Sequence, residues 1–146
     1  GTETYQRNAQ EYIVKLQELD LWIKKQVSAI PPSDRILITN HESLGYFADR
    51  YGFEVVGSII PSTTTGSSPS AEDLASLVDL IYATGAKAIF VEVESNLQLA
   101  SQLADETGIL VVPGLYSHSM LSSDGSSSSY IEMLMHIVTL IVEALR

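Results

Sequence analysis

Hydrophobic positions in the first thirty residues recur at helical spacing. Tyr5, Tyr12, Leu16, Leu19 and Ile23 fall at intervals of three, four and seven, and Ile13, Trp22 and Val27 widen the stripe. The pattern predicts one long helix with an apolar face, stopped at Pro31-Pro32. The period then changes. Ile36 to Thr39 reads as a first strand, Leu44 to Tyr51 as a short helix closed by Gly52, and Phe53 to Ile60 as a second strand. Pro61 to Ser68 is too rich in serine and threonine for an element. Ser70 then caps a helix that runs to Thr84, with Glu72 and Asp73 in its first turn and Gly85 at its end. Ala88 to Val93 is almost wholly apolar, the mark of a strand covered on both faces. Ser95 opens another helix that Gly108 closes, Ile109 to Val112 forms a fourth strand, and the serine-rich stretch Ser122 to Ser129 leads into a last helix from Tyr130. That helix is apolar on nearly every side. Strands and helices alternating in this way require a parallel sheet with right-handed crossovers, hence a three-layer α/β/α domain.

Composition narrows the class. With 146 residues and 45% hydrophobic content the chain fits one globular domain with a sizeable core. Its formal charge of −10, from 18 acidic and 8 basic residues, opposes phosphate backbones and anionic membrane surfaces, so nucleic acid is not an expected partner. The absence of cysteine removes disulfides, thiolate metal sites and cysteine nucleophiles together. No apolar stretch reaches membrane-spanning length, and Gly1-Thr2-Glu3-Thr4 lacks the basic and apolar regions of a signal peptide.

Two of the three histidines stand where chemistry is expected. His41 directly follows the first strand, and His118 follows the fourth after Pro113-Gly114-Leu115-Tyr116-Ser117. Open α/β sheets bind their ligands at the carboxyl ends of strands, so two imidazoles at that edge point to a metal site. His136 lies inside the last helix among Met133, Leu134, Met135 and Ile137 and reads as structural. Gly-x-Ser-x-Gly, Gly-x-Gly-x-x-Gly and Walker loops are all missing, which argues against an enzyme. A metal hydrolase would need a further clustered ligand that the sequence does not offer.

Four segments in order carry a family resemblance. They are Asn40-His41-Glu42-Ser43-Leu44-Gly45-Tyr46-Phe47-Ala48-Asp49-Arg50-Tyr51-Gly52, Ser68-Pro69-Ser70 before a helix, Ala88-Ile89-Phe90-Val91-Glu92, and Gly114-Leu115-Tyr116-Ser117-His118-Ser119 followed by Tyr130-Ile131-Glu132-Met133. The chain resembles the second, carboxyl-terminal lobe of the metal-binding proteins of bacterial zinc and manganese ABC transporters, the cluster A-I or zinc-uptake/TroA-like solute-binding proteins. The resemblance covers nearly the whole chain. It implies a sheet in the order 2-1-3-4, a linker-helix region over residues 1–30 and a single metal-binding lobe over residues 31–146.

The resemblance also implies a function. It makes the chain a non-enzymatic lobe that captures zinc, or alternatively manganese, in a periplasmic or extracellular setting and delivers it to an ABC permease. His41 matches the family's third ligand, which is histidine in zinc-type members. The fourth is usually an aspartate in a Tyr-Thr-Asp-Ser type stretch; here Tyr116-Ser117-His118-Ser119 puts an imidazole in its place. Glu92, at the end of the third strand, is the candidate to orient a liganding histidine from behind, with a plain helix-cap or surface role as the alternative. Two further ligands belong to the family's other lobe, so half the coordination sphere is expected here. A lobe without its partner exposes apolar surface and is expected to pair with itself. The alternative reading is a stand-alone α/β lobe that serves as a folding or interaction module without a complete metal site.

Overall fold

Leu37 and Ile38 are neighbours in sequence and both fully buried, yet they belong to two different cores. Side chains alternate across a strand, so a strand buried on both faces must be sandwiched between two layers. The computed structural model describes residues 2–40, 43–59, 70–92, 97–115 and 130–146. Helix α1 spans Thr2–Val27, and a single 3₁₀ turn at Pro32–Asp34 leads into β1, Ile36–Thr39. The chain continues through α2 (Gly45–Tyr51), β2 (Glu54–Ser58), α3 (Ala71–Thr84) and β3 (Ala88–Glu92). It closes with α4 (Leu97–Thr107), β4 (Leu110–Leu115) and α5 (Tyr130–Leu145).

All strand pairings are parallel and the order is β2-β1-β3-β4. On one face Leu37, Ala88, Phe90 and Leu115 pack against α1, α2 and α5 through Ile23, Ala48, Ile137 and Ile141. On the other, Ile38, Ile89 and Val91 meet α3 and α4 through Leu77, Ile81, Ala100 and Leu103. The expected three-layer architecture, its 2-1-3-4 order and its leading helix are therefore present.

Several local details follow from sequence chemistry. Ser70 accepts from the Asp73 backbone N–H at 3.1 Å while the Asp73 carboxylate accepts from the Ser70 backbone N–H at 2.8 Å, a reciprocal cap that satisfies two orphan donors of α3. Both outer strands are irregular. On β2, Val55 pairs with Leu37 and Gly57 with Ile38, which leaves Val56 as an extra residue. A Cβ at Gly57 would stand 2.9 Å from Leu80 Cδ2, so α3 seats directly on the glycine backbone. On β4, Val91 pairs with Pro113 and Glu92 with Leu115, which leaves Gly114 out of register.

The extent of the fourth strand and the burial of the α1 stripe differ from the sequence reading. The fourth strand starts at Leu110 rather than Ile109 and continues through Pro113-Gly114 to Leu115. An outer strand tolerates a residue without an N–H, and the bulge accommodates the glycine. The stripe on α1 is buried only at Leu19, Ile23 and Val27, whereas Tyr5, Tyr12, Ile13 and Val14 are exposed.

Helix α1 is pinned to α2 by Asp20. Its Oδ1 accepts from Arg50 Nε at 2.8 Å and Tyr51 Oη at 2.9 Å, and its Oδ2 meets Lys24 Nζ at 2.8 Å. The hydrogen bond from Arg50, then that from Lys24, hold the Asp20 carboxyl well below the usual carboxylate range. Lys87 lowers Asp34 in the same direction, and the Ser70 cap lowers Asp73. A group whose folded pKa is depressed adds stability above its unfolded pKa, near 3.9, and loses it as pH falls through the folded value. The urea midpoint should therefore fall as pH drops below about 4. In Asp20→Asn the midpoint should be lower at neutral pH and less steep across that acid window. An unchanged slope would remove Asp20 from the account.

Candidate metal centre

Because all four strands are parallel, their carboxyl ends share one edge of the sheet. At the end of β1 two polar residues are buried, Thr39 at 1% and Asn40 at 7% exposure. The Asn40 backbone N–H donates to the Phe90 carbonyl at 3.1 Å, and the Thr39 carbonyl accepts from the Ile59 N–H at 3.0 Å. The backbone is thus clamped on both sides immediately before residue 41. It is anchored again at Leu44, 6% exposed, whose carbonyl accepts from the Ala48 N–H at 2.8 Å as α2 begins.

Strand β3 lies between β1 and β4, with Phe90 opposite Thr39 and Glu92 opposite Leu115. Neighbouring strands are about 4.8 Å apart, so the backbones of β1 and β4 flank Glu92 about 10 Å from each other. Glu92 is partly buried, and its Oε1 is shielded from solvent. On β4, Leu115 is 1% exposed and packs in the α5-side core, which fixes the chain one residue before Tyr116.

His41, His118 and the serine-rich stretches 62–69 and 122–129 lie outside the described residues. What the fold brings together is the set of anchors, Asn40, Glu92 and Leu115, at one edge in the order β1-β3-β4. Among the described residues no group of three or more histidine, aspartate or glutamate side chains could hold an ion. Also among them, no helix is long and apolar enough to cross a membrane. His136, read from sequence as structural, places Nε2 3.0 Å from the Gly114 carbonyl.

The sequence reading missed the burial of Thr39 and Asn40. The available signal was the polar pair that closes an apolar run and directly precedes a histidine.

The family described as zinc-uptake complex component A, periplasmic, matches residues 1–144. The manganese-binding lipoprotein MntA of Bacillus subtilis is 34% identical over 99% of this chain and 48% of its own length. The zinc-binding protein TroA of Treponema pallidum is 31% identical with the same coverage, and the iron-binding protein YfeA of Yersinia pestis is 30% identical over 90% of the chain and 42% of its own. The solved periplasmic zinc-binding protein TroA superposes with a TM-score of 0.84 at 29% identity, over 97% of this chain and 52% of that one. A periplasmic metal-binding protein from Candidatus Liberibacter asiaticus gives a TM-score of 0.84 at 26% identity, covering 99% and 53%. The chain spans about half the length of the curated relatives it matches.

Proposed function

Since the chain belongs to the periplasmic zinc-uptake component A family, we propose that it is a metal-capturing lobe of an ABC-transporter solute-binding protein, with His41 and His118 as its share of the ligands. The observation that carries this reading is the pair of anchors at the carboxyl ends of β1 and β4, the strands each histidine follows in sequence. Asn40 is tied to Phe90 and Leu115 is locked in the core, on strands separated only by β3. Short tethers from fixed anchors can present two imidazoles to one ion with little entropy left to lose.

Two nitrogen donors favour zinc over manganese, because imidazole suits zinc whereas manganese prefers oxygen ligands. Relatives named for manganese, zinc and iron show that this scaffold serves more than one metal. The donor set here leans to zinc. Glu92 ends the strand that lies between β1 and β4; its proposed role is to accept from a liganding imidazole and hold its tautomer. The ion is cargo, shared with a second lobe that brings the other ligands and passed to a membrane permease on the periplasmic or extracellular side. The chain itself performs no chemistry on it.

Zinc calorimetry on this chain and on a protein carrying both lobes tests the proposal. Losing outer-shell partners alone costs about 10–100-fold in metal affinity, so losing two direct ligands should weaken binding by more than about 100-fold. Equal affinities would overturn the shared site. Exposed Tyr5, Tyr12, Ile13 and Val14 on α1 favour self-association of the lobe at high concentration. Sedimentation of the same samples with and without zinc would show a dimer, and a strict monomer in both would reject that part.

A further inference from the structure

Helix α2 carries three aromatic residues and packs only two of them. Phe47 stacks on Phe53 with ring centroids 5.5 Å apart and meets Tyr51 at 5.0 Å, and both lie against the core that contains Ala48. Tyr46 is 97% exposed. It lines a cavity of about 630 Å³ between α2 and the outer strand β2, together with Ser43, Gly45, Asp49 and Val55.

Tyr46 and Asp49 are three residues apart and so share a face of the helix. The neighbouring cation, Arg50, is held by Asp20 at 2.8 Å, and the Asp49 carboxylate has no hydrogen bond or ion pair among the described residues. Ser43 Oγ is shielded from solvent and likewise has no hydrogen-bond partner among them. A Cβ on Gly45 would meet nothing within 4 Å, so the cavity is open on that side. An aromatic ring, an unpaired carboxylate and an apolar wall together match a cationic side chain. The ring attracts its charge, the carboxylate accepts its N–H donors, and Val55 takes the aliphatic stem. The formal charge of −10 draws a cationic partner toward this face and repels an anionic one.

We infer that the groove between α2 and β2 docks an arginine or lysine side chain of a partner protein, held between the Tyr46 ring and the Asp49 carboxylate. A free small cation would leave the ring in water, whereas a protein surface covers it, and tyrosine is enriched at the centre of such contacts. The proposed metal site has no part in this docking.

Backbone amide shifts of the isotope-labelled chain should be followed during titration with an acetylated, amidated Gly-Ala-Arg-Ala-Gly peptide, with its citrulline counterpart, and with methylguanidinium. The arginine peptide should move Gly45, Tyr46, Asp49 and Val55 together, with a Kd on the order of 1 mM for a single side chain. Citrulline keeps the shape and removes the charge, and should bind about tenfold more weakly. Asp49→Asn should weaken the arginine peptide about tenfold, and Tyr46→Ala about three- to fivefold. Asp79→Asn removes an equal charge from an exposed position on α3 and should change nothing. All three positions are exposed, so melting curves should confirm that the variants fold as the wild type does.

Equal binding of the citrulline peptide overturns the inference. So does a loss in Asp79→Asn that matches the loss in Asp49→Asn, which would mark a general attraction to an acidic chain. Methylguanidinium that binds as tightly as the peptide overturns the protein partner and makes a free cation the occupant. Shifts that miss the groove at about 10 mM peptide, ten times the expected Kd, reject the site outright.

Discussion

Changing His41 and His118 together to alanine should abolish measurable zinc binding by this chain. The same site should be strongly pH dependent. Coordination needs neutral imidazole, and an ordinary imidazole takes up its proton near pH 6.5. Between pH 7.5 and 5.5 each ring passes from mostly neutral to about one-tenth neutral, so two rings together should cost roughly a hundredfold in affinity. The single changes should each remove most of the binding. Calorimetry at the two pH values decides the matter: tight binding that ignores pH, or that persists in the double variant, cannot come from a two-histidine site.

Phe90→Ala should be the most damaging single change to the fold. Its side chain is fully buried in the core that joins β1, β3 and β4 to α1 and α5. Truncating a buried phenylalanine costs about 3–5 kcal/mol through lost transfer energy and the cavity left behind. That is a large fraction of the 5–15 kcal/mol typical of a domain, and at this size it corresponds to roughly 10–20 °C in Tm. Because both cores are built from apolar side chains, wild type and variant should both melt cooperatively, and chelator should leave both midpoints nearly unchanged. A loss under about 1 kcal/mol would mean that the neighbours of Phe90 collapse into the space. A large drop in midpoint on adding chelator would instead make metal a structural staple.

The architecture was legible because local signals agreed with one another. Ser70, the acidic first turn and Gly85 bracket a helix without ambiguity, and the helix spans Ala71–Thr84. Ala88 to Val91 is apolar at every position, which only a strand covered on both sides requires, and all four are 0% exposed. Where reading went astray, two physical facts competed. Pro113 and Gly114 look like a strand end, yet an outer strand can lose one N–H and absorb one extra residue. The α1 stripe gives the direction of a face. It does not say whether anything in the chain covers that face, so Tyr5 and Tyr12 fit the period and remain exposed.

The candidate site was legible by position only. A histidine after an apolar run locates a ligand candidate, and the parallel order puts the two strand ends on either side of Glu92. The support was not legible. That Asn40 is buried and tied to Phe90, or that His136 reaches Gly114, depends on contacts between segments fifty and twenty-two residues apart. No pattern within one segment encodes them.

The two bulges bear on how copies of the lobe meet one another. They fall on β2 and β4, the outermost strands of the four-stranded sheet among the described residues. An outer strand that is long and regular offers a ladder of unpaired amides to any neighbouring molecule, which is how sheets grow from one chain into the next. Here the extra residue at Val56 breaks that ladder on one side, and Gly114 with the N–H-less Pro113 breaks it on the other. Copies crowded together should therefore meet through side chains, and remain reversible, instead of fusing into a continuous sheet.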